Sequence, residues 1–340
     1  MTKTKEHFYL LDILKILVLL AISILHANEF VFWTDSFFHG KSAPVCYYSY
    51  YYARFFTLGG QILISLVYFL FGYSGKSKKK LAWIAGFALI GQFILSLVLM
   101  EAEWDIYAYI AVTNLLILII PAFFRFNFYT LLSSFMMLWI PTSYFQSLFP
   151  STPFWVIVTG KIEWYNSGSW PLLPWFFLGL MNYQLGLYVN LKRDSFRKFH
   201  KNEYGVWPLL ILCSLPVLGH YYWVPIGPNY YNFTFNQLPW IYWGNMSVFI
   251  LIMRCALLDS VQRRLGRSEL AKKISGLYWI RHLGLTYLIS IVYLGLGYHL
   301  REMFKNHPMI FDIFFIGIMP TSEMIARGIV KLQRHYFKKR

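Results

Sequence analysis

The chain has 340 residues, of which 57% are apolar, 21% aromatic and only 14% charged. So little charge cannot cover the surface of a water-soluble domain of this length. The composition argues instead for an all-α, polytopic integral membrane protein. The net charge of +16 would suit a nucleic-acid partner, but the basic residues fall in alternate inter-helix segments rather than on one face, so none is expected. Cys46, Cys213 and Cys255 lie far apart. They fit neither a metal-ligand spacing nor a disulfide framework, and no metal site is expected.

Met1 to Phe8 is short and basic, and the apolar run that follows, Tyr9 to about Trp33, is too long for a signal peptide. It reads as a retained first helix. A hydrocarbon core of ~30 Å needs ~20 apolar residues per helix. Runs that qualify lie at 9–32, 55–75, 81–100, 106–123, 128–148, 172–191, 205–222, 241–262, 277–299 and 309–330. Pro171, Pro174 and Pro208 stand near the starts of the sixth and seventh, where a helix tolerates proline best.

The charge in the loops tests that count independently. Segments 1–8, 76–80, 124–127, 192–204, 263–276 and 331–340 carry 22 of the 31 Lys and Arg residues, and the intervening five loops carry 5. That asymmetry predicts about ten transmembrane helices with both termini in the cytoplasm. No loop is long enough for a separate soluble domain, so residues 1–340 read as a single membrane domain. Loops 33–54 and 149–171, rich in Tyr, Trp, Ser and Pro, would lie outside.

The first helix carries the richest set of ionisable residues: Asp12, Lys15, His26 and Glu29. At ~100° per residue, Lys15 and His26 lie within ~20° of one face and Asp12 within ~40° of His26, with Glu29 one turn further on. They form one polar stripe on an apolar helix. An intramembrane charge is costly, and its default reading is functional. For Asp12 and Lys15 the alternative is an i,i+3 pair at the interface; for His26 it is a hydrogen-bonded histidine near the outer headgroups. Elsewhere, Glu323 and Arg327 read as an i,i+4 ion pair, Arg254 and Asp259 as a helix-end pair, and Arg281 with His282 as a cytoplasmic anchor or an anion contact. Gln61, Gln92, Asn114, Asn182, Gln184 and Asn245 read as interhelical hydrogen-bond formers.

Asp12, Lys15 and His26 stand in the order acidic residue, basic residue three later, histidine after ten more. This resembles the opening of membrane acyltransferase family three and of the related heparan-glucosaminide N-acetyltransferase-like proteins. Gly59-Gly60-Gln61 with Phe69 to Ser74, and the segment Trp170-Pro171-Leu172-Leu173-Pro174-Trp175, are also similar to those families. The likeness is specific over roughly the first 80 residues and at that later segment. The families' arginine is Lys15 here, which keeps the charge and loses the bidentate fork.

The resemblance implies transfer of an acyl group, acetyl in the first instance, from cytoplasmic acyl-CoA to a hydroxyl or amine of a carbohydrate or other exported acceptor. It also implies a bacterial inner membrane. Acetyl-CoA would be the donor, with Lys15, positioned by Asp12, and Arg281 toward its phosphates. His26 would serve as general base, or carry a transient acyl group, and Glu29 would orient it. A transporter or flippase for a lipid-linked or small polar solute is the alternative that ten spans and buried polar residues also fit.

Overall fold

The computed structural model describes residues 7–32, 59–99, 106–140, 144, 147–148, 158, 172–192, 207–208, 211–212 and 239–337. Every regular element among them is a helix. We number these α1 (Tyr9–Phe32), α2 (Gly59–Tyr73), α3 (Lys78–Leu99), α4 (Ile106–Ile119), α5 (Pro121–Phe124), α6 (Phe128–Met137), α7 (Leu172–Leu191) and α8 (Pro239–Leu257). There follow α9 (Asp259–Arg267), α10 (Glu269–Gly276), α11 (Tyr278–Arg281), α12 (Leu283–His299), α13 (Arg301–Asn306) and α14 (Pro308–Phe337).

Two stretches of the described residues, 78–97 and 309–335, are long and apolar enough to cross a membrane, and five shorter apolar helices run from 10 to 17 residues. The first and sixth expected runs coincide with α1 and α7. Others break where the backbone dictates. Pro121 opens a new turn after α4 and cuts the run at 106–123. The run at 241–262 ends at Leu257, because Leu258 turns extended (φ −66°, ψ 126°) and caps a separate helix. The run at 277–299 divides at His282 (φ −129°, ψ 46°) into α11 and α12. Leu173 is extended (φ −100°, ψ 127°), as expected of a residue before proline, so the regular part of α7 begins at Pro174. Most of the seventh run, 205–222, lies outside the described residues.

Contacts divide the chain into two compact units, residues 1–60 with 255–340, and residues 61–254. In the first, α1 packs against α9, α10, α11, α12 and α14. Leu11, Val18, Leu19, Ala21 and Ile22 of α1 are buried there. Helices α12 and α14 lie together. The Tyr293 ring stacks on Phe314 at 4.3 Å, and its hydroxyl donates to the Phe314 carbonyl at 3.0 Å.

In the second unit, α3 packs on α4, and α7 on both α4 and α6. Where α2 meets α7, two glycines allow backbone contact. A Cβ at Gly72 would strike the Tyr183 carbonyl, and one at Gly186 would strike the Phe69 carbonyl. Such close approach is how apolar helices gain dispersion contact without a hydrophobic drive. Gln184 is wholly buried. Its amide accepts from Asn127 N–H at 2.9 Å and donates to the Phe123 and Arg125 carbonyls at 2.6 and 3.1 Å. Asn127 in turn caps α6 through Tyr129 and Thr130 N–H. Gln92 accepts from Ala108 N–H across the α3–α4 contact, and Asn182 donates to Ser65 Oγ between α7 and α2. These three behave as the interhelical glue the sequence predicts. Asn114 does not: it is fully buried, and among the described residues neither amide atom has a hydrogen-bond partner. The side chains of Gln61 and Asn245 lie outside the description.

Candidate functional site

The candidate site begins at the first turn of α1. Leu11 and Asp12 N–H both bond the Phe8 carbonyl, which closes the turn and sets the direction of the Asp12 side chain. A carboxylate in the first turn is favoured by the exposed N–H groups there. Asp12 is only 5% exposed. Its Oδ1 accepts from Lys15 Nζ at 2.9 Å, and the lysine side chain is 15% exposed. Its Oδ2 lies 2.8 Å from Nε2 of His7, which is half-exposed. The His7 ring meets Tyr9 edge-on at 4.5 Å.

Burial of an ion pair this deep is sustained only by close geometry and further bonds. Here one carboxylate holds a cation and an imidazole, and the helices around α1 screen it. The polar stripe therefore starts, at Asp12 and Lys15, on a protein-facing side of α1. His7 was not among the candidates. Standing before the helix and five residues from Asp12, it has no helical register with the stripe; only the turn into α1 brings it to the carboxylate.

His26 and Glu29 stand further along the α1 backbone, ~16 Å and more above Lys15 by helical rise. Their side chains lie outside the described residues, as does the segment 33–54.

The expected cytoplasmic loop 263–276 is two helices, and these carry the positive charge to α1. Arg263, Arg264 and Arg267 on α9, and Lys272 and Lys273 on α10, are exposed. Gly266 on α9 faces the Tyr9 ring, beside His7. Ser268 caps α10 through Ala271 N–H. The Glu269 carboxylate, 2.8 Å from Lys272, holds that ammonium above its ordinary pKa. The basic residues thus flank the foot of α1.

Arg281 is not drawn to Asp12 or Lys15. It is exposed, and its Nε donates to the Ser275 carbonyl at 3.3 Å. It lies on α11, which does contact α1. Its neighbourhood is organised by Glu323. That carboxylate accepts from Tyr278 and Trp279 N–H at 2.9 and 3.1 Å, and from Arg327 Nε at 2.9 Å. The Arg327 guanidinium lies over the Tyr278 ring at 5.7 Å, and His282 stacks on the same ring at 5.0 Å. The i,i+4 pair expected from sequence is present, and its carboxylate also caps a helix from another part of the chain. Arg254 is buried over the Trp207 ring at 5.1 Å; the side chain of Asp259 lies outside the description.

Chemically, the foot of α1 offers one desolvated carboxylate that fixes an ammonium, one accessible imidazole and five exposed cations. This arrangement can hold an anion and orient a proton carrier. Compared with protein-family models, with curated proteins and with solved structures, the chain matches none.

Proposed function

We propose that the chain is a polytopic integral membrane acyltransferase of about ten spans, with both termini cytoplasmic. In this reading it moves an acyl group, acetyl in the first instance, from cytoplasmic acyl-CoA to a hydroxyl or amine of a carbohydrate or other exported acceptor. The membrane part is supported by the biased loop charge and by the outer surfaces of α3 and α14. Phe93 and Leu97 on α3, and Met309, Ile313 and Met324 on α14, are exposed. Large exposed apolar surface on long helices suits contact with lipid. A bacterial inner membrane is the setting the family resemblance implies.

The observation that carries the enzymatic part is the buried Asp12–Lys15 pair against neighbouring helices. It gives the first part of the stripe, Asp12 and Lys15, a protein surrounding. Coenzyme A is a polyanion on a thin arm. The cations of α9 and α10 and Arg281 would receive its phosphates, with Lys15 fixed by Asp12 deeper along the same path. The pantetheine arm would then follow α1 toward His26. There the imidazole takes the proton of the acceptor as that group attacks the thioester carbon, and the thiolate leaves as coenzyme A. Glu29 would stabilise the imidazolium.

The test is acetyl transfer from radiolabelled acetyl-CoA by the purified protein, with His26→Ala and Lys15→Ala beside it. The His26 variant is expected to keep its fold and bind donor without turnover. The Lys15 variant is expected to lose affinity about tenfold, the worth of one charged contact. Wild-type turnover by His26→Ala sinks the base; absence of both binding and turnover in the wild type sinks the enzyme. The second reading, a transporter or flippase, is favoured by one observation: Asn114, Asn182 and Ser65 are buried polar groups inside the unit that lacks the α1 stripe. Uptake of labelled solute by proteoliposomes that neither bind nor consume acetyl-CoA would favour it.

A further inference from the structure

Along one exposed face of α3, Lys79, Ala82, Trp83, Gly86, Phe87 and Ile90 line a shallow, open groove of about 410 Å³. Their spacing of three and four residues keeps them on one side of the helix. Gly86 lies in its floor and opens outward: a Cβ there would meet no atom of the protein within 4 Å. Its neighbour Gly91 serves the opposite purpose, letting the Tyr107 ring of α4 pack against the helix. The walls are apolar and uncovered, Trp83 being 68% and Ile90 60% exposed.

One end of the groove is cationic. Lys78, Lys79 and Lys80 open α3, and no acidic residue stands in its first turn. Lys78 lies over the Phe124 ring at 5.2 Å and Lys76 over Phe71 at 5.1 Å. Lys79 instead heads the groove. From Lys79 to Ile90 the helix rises about 16 Å, close to the ~15 Å depth of one leaflet's hydrocarbon. A single molecule with an anionic head and an apolar tail of that length matches both ends at once.

We propose that this groove binds one anionic phospholipid of the cytoplasmic leaflet. The phosphate sits at Lys79, the upper acyl chain passes Trp83, and the tail lies in the notch over Gly86 between Phe87 and Ile90. The proposal rests on α3 spanning the membrane, and not on the acyltransferase reading. A zwitterionic lipid would fill the same notch but lacks the uncompensated charge that Lys79 and its neighbours attract.

Native mass spectrometry of the full chain, purified in detergent and titrated with phosphatidylglycerol and phosphatidylcholine of identical chains, tests it. The wild type is expected to retain phosphatidylglycerol about fivefold better, the worth of one lysine at a charged surface. Lys79→Gln should bring the two lipids to near parity, while Lys80→Gln, outside the groove, keeps the preference. Gly86→Leu should lose the tightest-bound molecule of either lipid with an unchanged melting temperature. Equal retention by the wild type, or a preference that survives Lys79→Gln, overturns the proposal. Retention of no phospholipid of either kind likewise overturns the proposal, and leaves the membrane placement of α3 untouched.

Discussion

Nε2 of His7 lies 2.8 Å from Oδ2 of Asp12, on the carboxylate oxygen that Lys15 leaves free. The two partners differ in burial, so their loss should differ in cost. Asp12→Asn leaves the largely buried Lys15 ammonium without its counter-charge, which costs about 3 kcal/mol. Asp12→Asn combined with Lys15→Met removes both charges and should recover most of that loss. His7→Ala should cost under ~1 kcal/mol, because half of that side chain is in solvent. Thermal unfolding of the purified variants measures all three. A double variant no better than Asp12→Asn would show that the pair is not what holds the foot of α1.

Gly72 and Gly186 should tolerate no side chain. Each faces the backbone of the other's helix, so even Gly→Ala forces α2 and α7 apart and should cost more than ~3 kcal/mol, beyond ordinary overpacking. Gly86→Ala, with open space around it, meets no steric cost and should stabilise by up to ~1 kcal/mol through helix propensity. Monodispersity on size-exclusion chromatography and the melting temperature distinguish them.

Removing the Glu323 carboxylate by Glu323→Ala leaves Tyr278 and Trp279 N–H without their acceptor. The expected cost is ~1–2 kcal/mol, that of a lost helix cap. Arg327→Ala removes only an exposed partner of the same carboxylate and should cost under ~1 kcal/mol. Equal costs for the two would mean that the ion pair, and not the cap, is what Glu323 provides. Hydrogen exchange at Tyr278 and Trp279 gives a second readout, expected to quicken only in Glu323→Ala.

Gln184→Leu strands the Asn127 N–H and two carbonyls of the segment 123–127. The expected loss is ~2–3 kcal/mol, the price of leaving buried backbone groups unpaired. Asn114→Leu should be neutral or stabilising, since among the described residues no hydrogen bond is lost. A strongly destabilised Asn114→Leu would reveal a partner, such as an internal water, for that amide.

Helical content, the bounds of α1 and α7, and the Asp12–Lys15 and Glu323–Arg327 pairs were legible because each depends on residues near in sequence. Long apolar runs favour helices, and side chains three or four apart on one helix lie side by side. The Leu173 break was equally local, being forced by Pro174. The division at His282 had no such signal. Nor did the start of α11, where Glu323, some forty residues later, accepts from the Tyr278 and Trp279 N–H groups.

What the sequence determined by itself is the chain's apolar composition, the helical character of the described residues and the one-faced order of Asp12, Lys15, His26 and Glu29 along α1, since helical periodicity alone sets these. Only the tertiary structure decided that His7 joins Asp12, that residues 259–276 fold as two basic helices against α1, and that Gly72 and Gly186 let two backbones touch. The first depends on the turn that leads into α1; the other two depend on distant segments arriving at one place, and side-chain spacing along the chain carries no record of which helices become neighbours.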